Sequence, residues 1–540
     1  MTADIVFING QILTIDPENR ILQAVALKEN RILAVGDNAG IEKCIGSETK
    51  IIDLQGRSML PGFIDSHLHV TLMAANTLGI NCKAAHIKSV QNILGELQTK
   101  ASQVPKGAWV RAWGFNETKV AEQRYPTRWE LDAISTDHPI IVVRTCSHIS
   151  AVNSKALELA GIDANTPDPP GGKIERDEKG VPTGVLIENA HMNMHHFSKF
   201  TETEIRQGLP LASQQLLANG ITSVHDAGAY GPESLRILQQ STQTGDIQVR
   251  IYAMIGALND SQEFVKKMME AGVVTGLGNE QFKIGPVKVF IDGSSSGPTI
   301  ATRQPYTSDR NNHGILYFGQ EELNEALVTT HELGYQITAH AQGDRAIEMM
   351  LNCIETALQK QPRHNHRHRI EHAGITTPDL LKRMKELNVI PIPNPPFFYE
   401  FGEGYVKNYG ERVNHMFPAR DFIDEGIIAA AGSDSPITDC NPLLGIHTAV
   451  NRQTQAGLSV GDCQRIKRLE AIRLYTWNGA YASFDEHIKG SIEVGKLADM
   501  VVLSEPIMET PTERIKDITV EMTVLDGRIV YQKGEGEIRA

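Results

Sequence analysis

The sequence predicts an α/β protein: a (β/α)8 TIM barrel that carries a small β-sandwich formed by both chain termini and a subdomain inserted after the first barrel strand. Three observations predict this arrangement. Short apolar segments alternate with helical patterns through the middle of the chain, both ends have the pattern of short strands with turns, and one connection is far longer than the others. A chain of 540 residues is long enough for several such units.

Composition and charge restrict the class of protein. Hydrophobic residues make up 41% of the chain and charged residues 22%, as in ordinary globular proteins. The formal net charge of -13 argues against nucleic acid or an anionic membrane as a partner. No apolar run fits a membrane span or a signal peptide, and the 6 cysteines include no C-x-x-C pair. We therefore expect a cytoplasmic protein with reduced thiols that acts on a small molecule, with a homo-oligomer left open.

The two ends of the chain are predicted to pair into one β-sandwich, because neither could bury a sheet alone. Near the start, Asn9-Gly10 between two apolar runs favours a hairpin, and a polar turn containing Glu29-Asn30 separates the next two runs. Near the end, the turn Asp526-Gly527 separates similar runs. The predicted units are the sandwich (1–58 and 486–540), the barrel (59–80 and 200–485) and the inserted subdomain over the barrel mouth (81–199).

Eight apolar segments predict the strands of the barrel, and helical patterns separate most of them. The predicted strands are the one within 61–70 and those at 221–224, 249–255, 286–291, 336–339, 368–370, 389–392 and 427–431. The predicted helices include 202–218, 320–333, 345–358 and 377–387. Barrels of this kind carry their chemistry at the carboxyl ends of the strands. Polar residues at those ends are therefore the candidates for function.

The first barrel strand presents two histidines on one side. Its apolar run ends in Asp65 and Ser66, followed by His67 and His69. Side chains on a strand alternate between faces, so both imidazoles point the same way. Two imidazoles can share one cation, and imidazole suits zinc, iron, copper or nickel. The alternative, two unrelated histidines near a turn, stays open on this motif alone.

Four further residues at strand ends could complete a metal site. Lys288 interrupts the apolar fourth strand, where an unpaired ammonium group would be costly. Three interpretations are open: the side chain extends to the rim of the barrel, it pairs with a buried acid, or it is carboxylated to a carbamate that bridges two cations. His340 and His372 end the fifth and sixth strands, where each taken singly is either a metal ligand or a core histidine with satisfied hydrogen bonds. Asp434 ends the eighth, where it either caps the next helix or accepts a proton from metal-bound water. Three other histidines are predicted to form an exposed basic patch: His364, His366 and His368.

These residues, with the HLH motif, resemble the amidohydrolase superfamily. The motifs PGFIDSHLH, VKVFIDGS, HAQGDRAI, RIEHA, GSDSP and NPLLGI are similar to the branch that contains N-substituted formamide deformylases, and GKLADMVVL extends the resemblance to the far end. The resemblance implies two divalent metal ions, zinc first, with iron or manganese as alternatives. It implies these roles: His67 and His69 bind the more buried ion, N6-carboxylated Lys288 bridges both ions, His340 and His372 bind the second, and Asp434 completes the first site and is the general base.

The resemblance also implies substrate contacts and a reaction. His148 matches a position near the substrate, although Cys146-Ser147 stands where the family usually has an acidic residue and glycine. Trp113, Phe115 and Phe397 could line an apolar substrate pocket or belong to the core. The implied reaction is hydrolysis of a carbon–nitrogen bond other than a peptide bond, as in an N-formyl or N-acyl amine, through a metal-bridging hydroxide.

Two alternatives remain at this stage. A mononuclear metal-dependent deaminase of a cyclic substrate would use the same barrel, but it would have no use for a bridging Lys288. A non-catalytic scaffold related to amidohydrolases would be expected to have lost metal ligands, whereas every candidate position is filled here.

Overall fold

The computed structural model describes residues 1–83, 86–229, 231–256 and 262–534. Its amino-terminal segment contains short strands and one short helix. These are β1 (Ile5–Ile8), β2 (Gln11–Leu13), β3 (Ile21–Leu22), β4 (Ala24–Lys28), β5 (Arg31–Gly36), α1 (Asn38–Ile41), β6 (Lys50–Asp53) and β7 (Ser58–Pro61). Four of the strands form a sheet of their own, in the order β5-β4-β1-β6.

The Asn9-Gly10 dipeptide does not form the predicted hairpin, because β1 and β2 belong to different sheets. β1 pairs with β4 and β6, whereas β2 pairs with β3 and β7. The backbone groups of the turn bond elsewhere: the N–H of Gly10 donates to the carbonyl of Gln23, and the carbonyl of Asn9 accepts from Gly56. The turn thus carries the chain from one sheet to the other. The polar turn at Glu29-Asn30 does join an antiparallel pair, β4 and β5.

The segment that follows the first barrel strand builds a separate sheet. The elements here are β8 (Phe63–Leu68, the first barrel strand), α2 (Val70–Asn76), β9 (Ile80–Asn81), α3 (Val90–Ala101), β10 (Val110–Phe115), α4 (Arg128–Asp132), β11 (Ile140–Arg144), β12 (Ile149–Val152), α5 (Ser154–Leu159), β13 (Gly172–Arg176), β14 (Pro182–Glu188) and α6 (Asn189–His195). The 6-stranded sheet has the order β13-β14-β12-β11-β10-β9.

Parallel strands form a nearly closed barrel around which the helices lie. The strands that follow are β15 (Ile221–Ala229), β16 (Arg250–Ile255), β17 (Phe282–Phe290), β18 (Ile337–Ala341), β19 (Arg369–His372) and β20 (Ile390–Ile392). The helices are α7 (Glu202–Ala218), α8 (Pro232–Thr244), α9 (Gln262–Glu270), α10 (Gln320–Glu332), α11 (Asp344–Lys360), α12 (Pro378–Glu386), α13 (Pro395–Tyr409), α14 (Ala419–Asp424) and α15 (Pro442–Asn451). The 7-stranded parallel sheet has the order β20-β19-β18-β17-β16-β15-β8. The predicted TIM-barrel-like α/β fold is therefore confirmed.

The predicted eighth strand, residues 427–431, is not a strand, although it lies where one would close the barrel. On one side the N–H of Ala430 donates to the carbonyl of Pro391 at 3.2 Å. On the other side the N–H of Ser66, in β8, donates to the carbonyl of Ala431 at 2.9 Å. The reciprocal bond of a parallel ladder would need an N–H at position 393, and Pro393 has none. The segment is extended but its ladder is interrupted.

Carboxy-terminal strands join amino-terminal ones in a second terminal sheet. The last elements are α16 (Arg468–Leu474), α17 (Trp477–Ala482), β21 (Met500–Leu503), β22 (Val520–Leu525) and β23 (Arg528–Gln532). The 6-stranded sheet has the order β23-β22-β21-β7-β2-β3, with β21 antiparallel to β7. The turn Asp526-Gly527 joins β22 to β23, as predicted, with both residues at positive φ. One buried apolar cluster includes Phe7 and Val25 of the first sheet and Met500 of the second.

Two composition-based predictions can be compared with the structure. All six cysteines are free thiols and most are buried, in agreement with the prediction of reduced thiols. Within the part of the chain that the structure describes, no helix is both long and apolar enough to cross a membrane.

His366 and His368 are buried, so the predicted exposed patch is wrong for these two residues. Burial is possible because their ring nitrogens are satisfied internally. The Nε2–H of His368 donates to Nδ1 of His331 at 2.8 Å, while its Nδ1 accepts the N–H of Ile337 at 3.1 Å. The Nε2–H of His366 donates to the carbonyl of Leu387 at 2.9 Å. With one donor and one acceptor in use, the His368 ring has the pattern of a neutral imidazole.

Mild acid is expected to destabilise the protein through these histidines. Burial lowers the pKa of His366 to about 4 and holds the pKa of His368 well below its ordinary value. The unfolded chain therefore binds protons first, and the free energy of unfolding should fall as the pH drops below about 6.5. His366→Gln should flatten this dependence by about one proton, or about 1.4 kcal/mol per pH unit. Thermal unfolding of both proteins at several pH values measures the slopes, and equal slopes would contradict the assignment.

Candidate metal centre

The carboxyl ends of the barrel strands bring the predicted metal ligands together. They are His67 in β8, His69 directly after it, Lys288 in β17, His340 in β18, His372 at the end of β19 and Asp434 after the extended segment that closes the barrel. All of them are buried. The ring centroids of His67 and His372 are 4.6 Å apart, and those of His340 and His372 are 4.5 Å apart. The structure therefore gathers the whole predicted set into one cluster.

Potential ligand atoms face one another within this cluster. One atom each of His67, His372 and Asp434 lies within 4.8 Å of the other two. Oδ1 of Asp434 is 3.0 Å from Nε2 of His69 and 3.4 Å from Nε2 of His67. The Nζ of Lys288 lies 3.2 Å from Nε2 of His67. These short distances place the nitrogen and oxygen atoms where one or more cations could be shared.

Neighbouring acceptors determine which ring nitrogen of two histidines faces the cluster. The Nδ1–H of His67 donates to Oε2 of Glu371 at 2.5 Å. The Nδ1–H of His372 donates to Oδ1 of Asn394 at 2.6 Å. In a neutral imidazole the other nitrogen then carries a lone pair, so both residues present Nε2 as a ligand atom.

His340 presents the opposite nitrogen. Its Nε2–H donates to the carbonyl of Gly293 at 2.8 Å, which leaves Nδ1 as the ligand atom. Oδ1 of Asp292 lies 3.6 Å from the same Nε2. The carboxylate of Asp292 also accepts backbone N–H groups from the loops after β17 and β18, and burial raises its pKa to about 7. Asp292 therefore anchors the loops around His340.

Burial keeps three of the clustered histidines neutral: His69, His340 and His372. It lowers the pKa of His69 to about 4 and that of His372 to about 3, and it holds the pKa of His340 well below its ordinary value. Neutral imidazole is the form that offers a lone pair to a metal ion. Burial alone would raise the pKa of Asp434, but contacts with His67 and His69 hold it well below its usual range. These three neutral imidazoles thus lie beside an ionised carboxylate.

Glu371 supports the cluster through His67, and its place in the sequence did not mark it as a candidate site residue. Its fully buried carboxylate accepts from the guanidinium of Arg369 at 2.8 Å and from the hydroxyl of Thr338 at 2.7 Å, in addition to His67. Burial would raise the pKa of Glu371, but the ion pair with Arg369 holds it well below its ordinary range. A signal existed in the sequence: Arg369 and Glu371 are two residues apart in an apolar strand and so share a face.

The electrostatics of the cluster fit a cation. Because Nδ1 of His67 holds its proton toward Glu371, Nε2 is an acceptor, and it faces another acceptor, Oδ1 of Asp434, at 3.4 Å. Nε2 of His69 lies 3.0 Å from the same oxygen. The Nζ of Lys288, 3.2 Å from Nε2 of His67, supplies one positive charge to these buried acceptors, and a metal ion bound among them would supply another. Imidazole and carboxylate are common ligands of divalent metals, so the residues present fit a metal centre.

A cavity of about 770 Å³ opens over the cluster, between the barrel and the inserted sheet. The predicted site residues that line it are His69, Trp113, His148, Lys288, His340, His372, Phe397 and Asp434. Trp113 donates its indole N–H to the carbonyl of Asn76, and Phe397 stacks on the ring of His372. Phe115 does not line this cavity, because its ring is fully buried in the core of the inserted sheet against Tyr125.

The chain matches the family model described as the amidohydrolase family over residues 50–531. This chain belongs to the amidohydrolase family. The amidohydrolase is 31% identical to the putative amidohydrolase YtcJ of Bacillus subtilis, over 97% of this chain and 98% of that protein. It is 29% identical to the N-substituted formamide deformylase of Arthrobacter pascens, over 98% of each. An uncharacterized metal-dependent hydrolase from Pyrococcus horikoshii has a similar structure, with 25% identity, a TM-score of 0.75, and coverage of 98% of this chain and 100% of that one.

Membership of the amidohydrolase family confirms the resemblance inferred from the sequence motifs. The family model spans the barrel, the inserted sheet and most of the carboxy-terminal segment, so the match is not confined to the cluster of ligands. In this amidohydrolase the candidate metal centre lies at the carboxyl ends of the barrel strands, where barrels of this class carry their chemistry.

Proposed function

We propose that this amidohydrolase is a metal-dependent hydrolase that cleaves the carbon–nitrogen bond of an N-formyl or N-acyl amine. The observation that carries the proposal is a buried set of facing imidazole and carboxylate acceptors at the floor of a cavity large enough for a small molecule. The similarity to an N-substituted formamide deformylase supports an amide as the substrate class.

The proposed metal ligands divide into two sets that share one residue. His67, His69 and Asp434 would hold the first divalent ion, and His340 and His372 the second, with zinc as the first choice for such ligands. Lys288 would lie between the two ions. Burial lowers the pKa of Lys288 to about 8, which makes its neutral amine accessible near physiological pH. That amine can add to carbon dioxide and release a proton, which replaces a positive charge with a negative carbamate.

The residues of the chain perform the proton transfers of the proposed reaction. When bound, the metal ions would activate water and polarise the scissile carbonyl. Asp434 is ionised and lines the cavity, so its carboxylate can accept a proton from the attacking water and return it to the leaving nitrogen. The products are a carboxylate and an amine. The rings of Phe290 and Phe397 stack on His340 and His372 and limit access of further water to the ligands.

A substrate panel tests this proposal. The purified protein would be incubated with N-formyl amines, N-acetyl amines and cyclic amidines, and release of amine, formate, acetate and ammonia would be measured. The proposal predicts amine together with formate or acetate. Ammonia from the cyclic amidines alone would indicate a deaminase, and absence of turnover by metal-loaded protein on the whole panel would contradict the proposed substrate class.

Glu371→Gln is expected to weaken metal affinity by about 10–100-fold, because the amide no longer holds the proton of His67 on Nδ1 with full strength. Competition with a chromophoric chelator measures the affinity. The matched control is Thr338→Val, which removes a different hydrogen bond to the same carboxylate and leaves the bond to His67 in place. Equal affinities of Glu371→Gln and the parent protein would show that Glu371 does not support the metal centre.

We further propose that the chain consists of a terminal β-sandwich, a barrel and an inserted subdomain. The two terminal sheets would form one β-sandwich from residues 1–58 and 486–540, around a barrel of 59–80 and 200–485. Residues 81–199 would be an inserted subdomain. The shared apolar cluster and the pairing of β7 with β21 support this division.

A further inference from the structure

Glu188 is a fully buried carboxylate at the junction between the inserted sheet and the barrel. It is the last residue of β14, and its backbone has a φ of 50° and a ψ of -122°. A residue with a side chain adopts such a conformation only when its surroundings enforce it, and residues of this kind are concentrated at functional sites. The mechanism proposed above does not use Glu188.

Three donors from separate parts of the chain converge on this carboxylate. Oε1 accepts from the hydroxyl of Thr299, and Oε2 accepts from the hydroxyl of Tyr317 at 2.5 Å. Oε2 also accepts from Nδ1–H of His148 at 2.7 Å. Thr299 and Tyr317 lie between β17 and α10 of the barrel, whereas His148 directly precedes β12 of the inserted sheet. One side chain therefore connects the inserted sheet to the mouth of the barrel.

His148 is the member of this group that stands beside the candidate metal centre. Its ring lines the cavity and lies 5.9 Å from the ring of His340, measured between centroids. Because Glu188 engages Nδ1–H, Nε2 is the ring nitrogen left for contact with a substrate. Burial would raise the pKa of Glu188, but its contacts with His148 hold it below the ordinary range, so the acceptor is a carboxylate.

We propose that Glu188 is a positioning residue that fixes the ring of His148 so that Nε2 hydrogen-bonds the reacting amide. The proposal rests on the proposed hydrolase function, and it makes the inserted sheet a working part of the active site. A carboxylate that binds three donors is rigid, and rigid support of a side chain that contacts substrate lowers the cost of reaching the transition state. Thr299 and Tyr317 supply that rigidity from the barrel side.

A double-mutant cycle tests whether Glu188 acts through His148. Glu188→Gln and His148→Ala are each expected to lower kcat for amide hydrolysis by about 100-fold, with changes in KM below about threefold. The double variant should be no slower than His148→Ala, because Glu188 has no effect on kcat once the imidazole that it positions is absent. If the kcat of the double variant were lower by the product of the two single reductions, the two residues would act independently and the proposal would be overturned. Glu188→Asp keeps the carboxylate and should have a higher kcat than Glu188→Gln. If Glu188→Asp were as slow as Glu188→Gln, the result would count against a positioning role.

Matched variants separate positioning from general loss of structure. Glu486→Gln removes a carboxylate bonded to Arg367 before β19, at the opposite end of the barrel, and should leave kcat and KM unchanged. If Glu188→Gln does not fold, Tyr317→Phe takes its place. Tyr317→Phe removes a second bond from the oxygen that holds His148, and it should lower kcat about tenfold without changing metal content. Unchanged kcat in Tyr317→Phe would contradict the proposal.

A spectroscopic measurement distinguishes failure of this inference from failure of the proposed function. A proton shared between imidazole and carboxylate gives a strongly downfield NMR resonance, and the parent protein has two such bonds, from His148 to Glu188 and from His67 to Glu371. The resonance of the His148 proton should be lost in both Glu188→Gln and His148→Ala, while that of the His67 proton remains. If the resonance behaves in this way but no amide is hydrolysed, the proposed function fails and the placement of His148 stands. If amides are hydrolysed and the resonance persists in Glu188→Gln, the positioning role is wrong.

Discussion

Asp434→Asn is expected to lower kcat for amide hydrolysis by about 10³-fold while KM changes little. Asparagine has nearly the same shape as aspartate but cannot accept the proton of the attacking water. The exchange is also conservative for the backbone, because Asp434 has a φ of 59° and asparagine tolerates positive φ better than most residues. Steady-state kinetics with the substrate identified from the panel measures the effect.

Asp439→Asn is the matched control for this experiment. Asp439 lies on the same loop but is exposed and does not line the cavity over the metal centre. Its replacement should leave kcat and KM at the parent values. If Asp434→Asn kept more than about a tenth of the parent kcat, Asp434 could not be the general base.

Lys288→Met is expected to abolish hydrolysis, with kcat lower by about 10³-fold or more, because methionine preserves length and burial but cannot form a carbamate. Lys288 is fully buried, and its Nζ lies 3.2 Å from Nε2 of His67 and 4.8 Å from the centre of the Phe290 ring. Parent protein incubated with ¹³C-labelled bicarbonate should show a carbamate signal in the NMR spectrum, and the variant should not.

Lys283→Met is the matched control for Lys288. Lys283 lies in the same strand, five positions earlier, and pairs with Asp485 at the opposite end of the barrel. Its replacement should reduce stability but leave the carbamate signal and kcat intact. A Lys288→Met variant with parental kcat would show that the lysine is structural.

The barrel and the cluster of candidate metal ligands could be predicted from the sequence because both are local signals. Each ligand is a polar residue that ends or interrupts an apolar run, and the carboxyl ends of parallel strands meet at one edge of a barrel. His67, His340 and His372 illustrate this, since each lies at or near the carboxyl end of a different strand.

Features that depend on a distant partner could not be predicted in this way. The predicted eighth strand does not form because Pro393, in a different segment, has no N–H to donate to it. The hairpin predicted at Asn9-Gly10 does not form, because β1 pairs with β4 and β6 rather than with β2. The turn therefore connects two different sheets. His366 and His368 are buried because acceptors and donors elsewhere satisfy their rings.

The residues that support the ligands were missed for a related reason. Glu371 and Glu188 have no distinctive sequence motif, and their importance lies in contacts across the fold. For Phe115 the sequence left two possibilities, a substrate pocket or the core, and the ring lies in the core of the inserted sheet. Sequence reasoning therefore identified which atoms could bind a metal but not which residues hold them in place.

Metal content per chain is the most direct test of a two-metal hydrolase. The protein would be purified without chelator and analysed by mass spectrometry of the elements, in parallel with Lys288→Met. We expect about two equivalents of divalent metal per chain in the parent and a clear loss in the variant. A single equivalent that Lys288→Met leaves unchanged would contradict the two-metal centre, and the absence of bound metal after incubation with zinc, iron and manganese would contradict metal-dependent hydrolysis altogether.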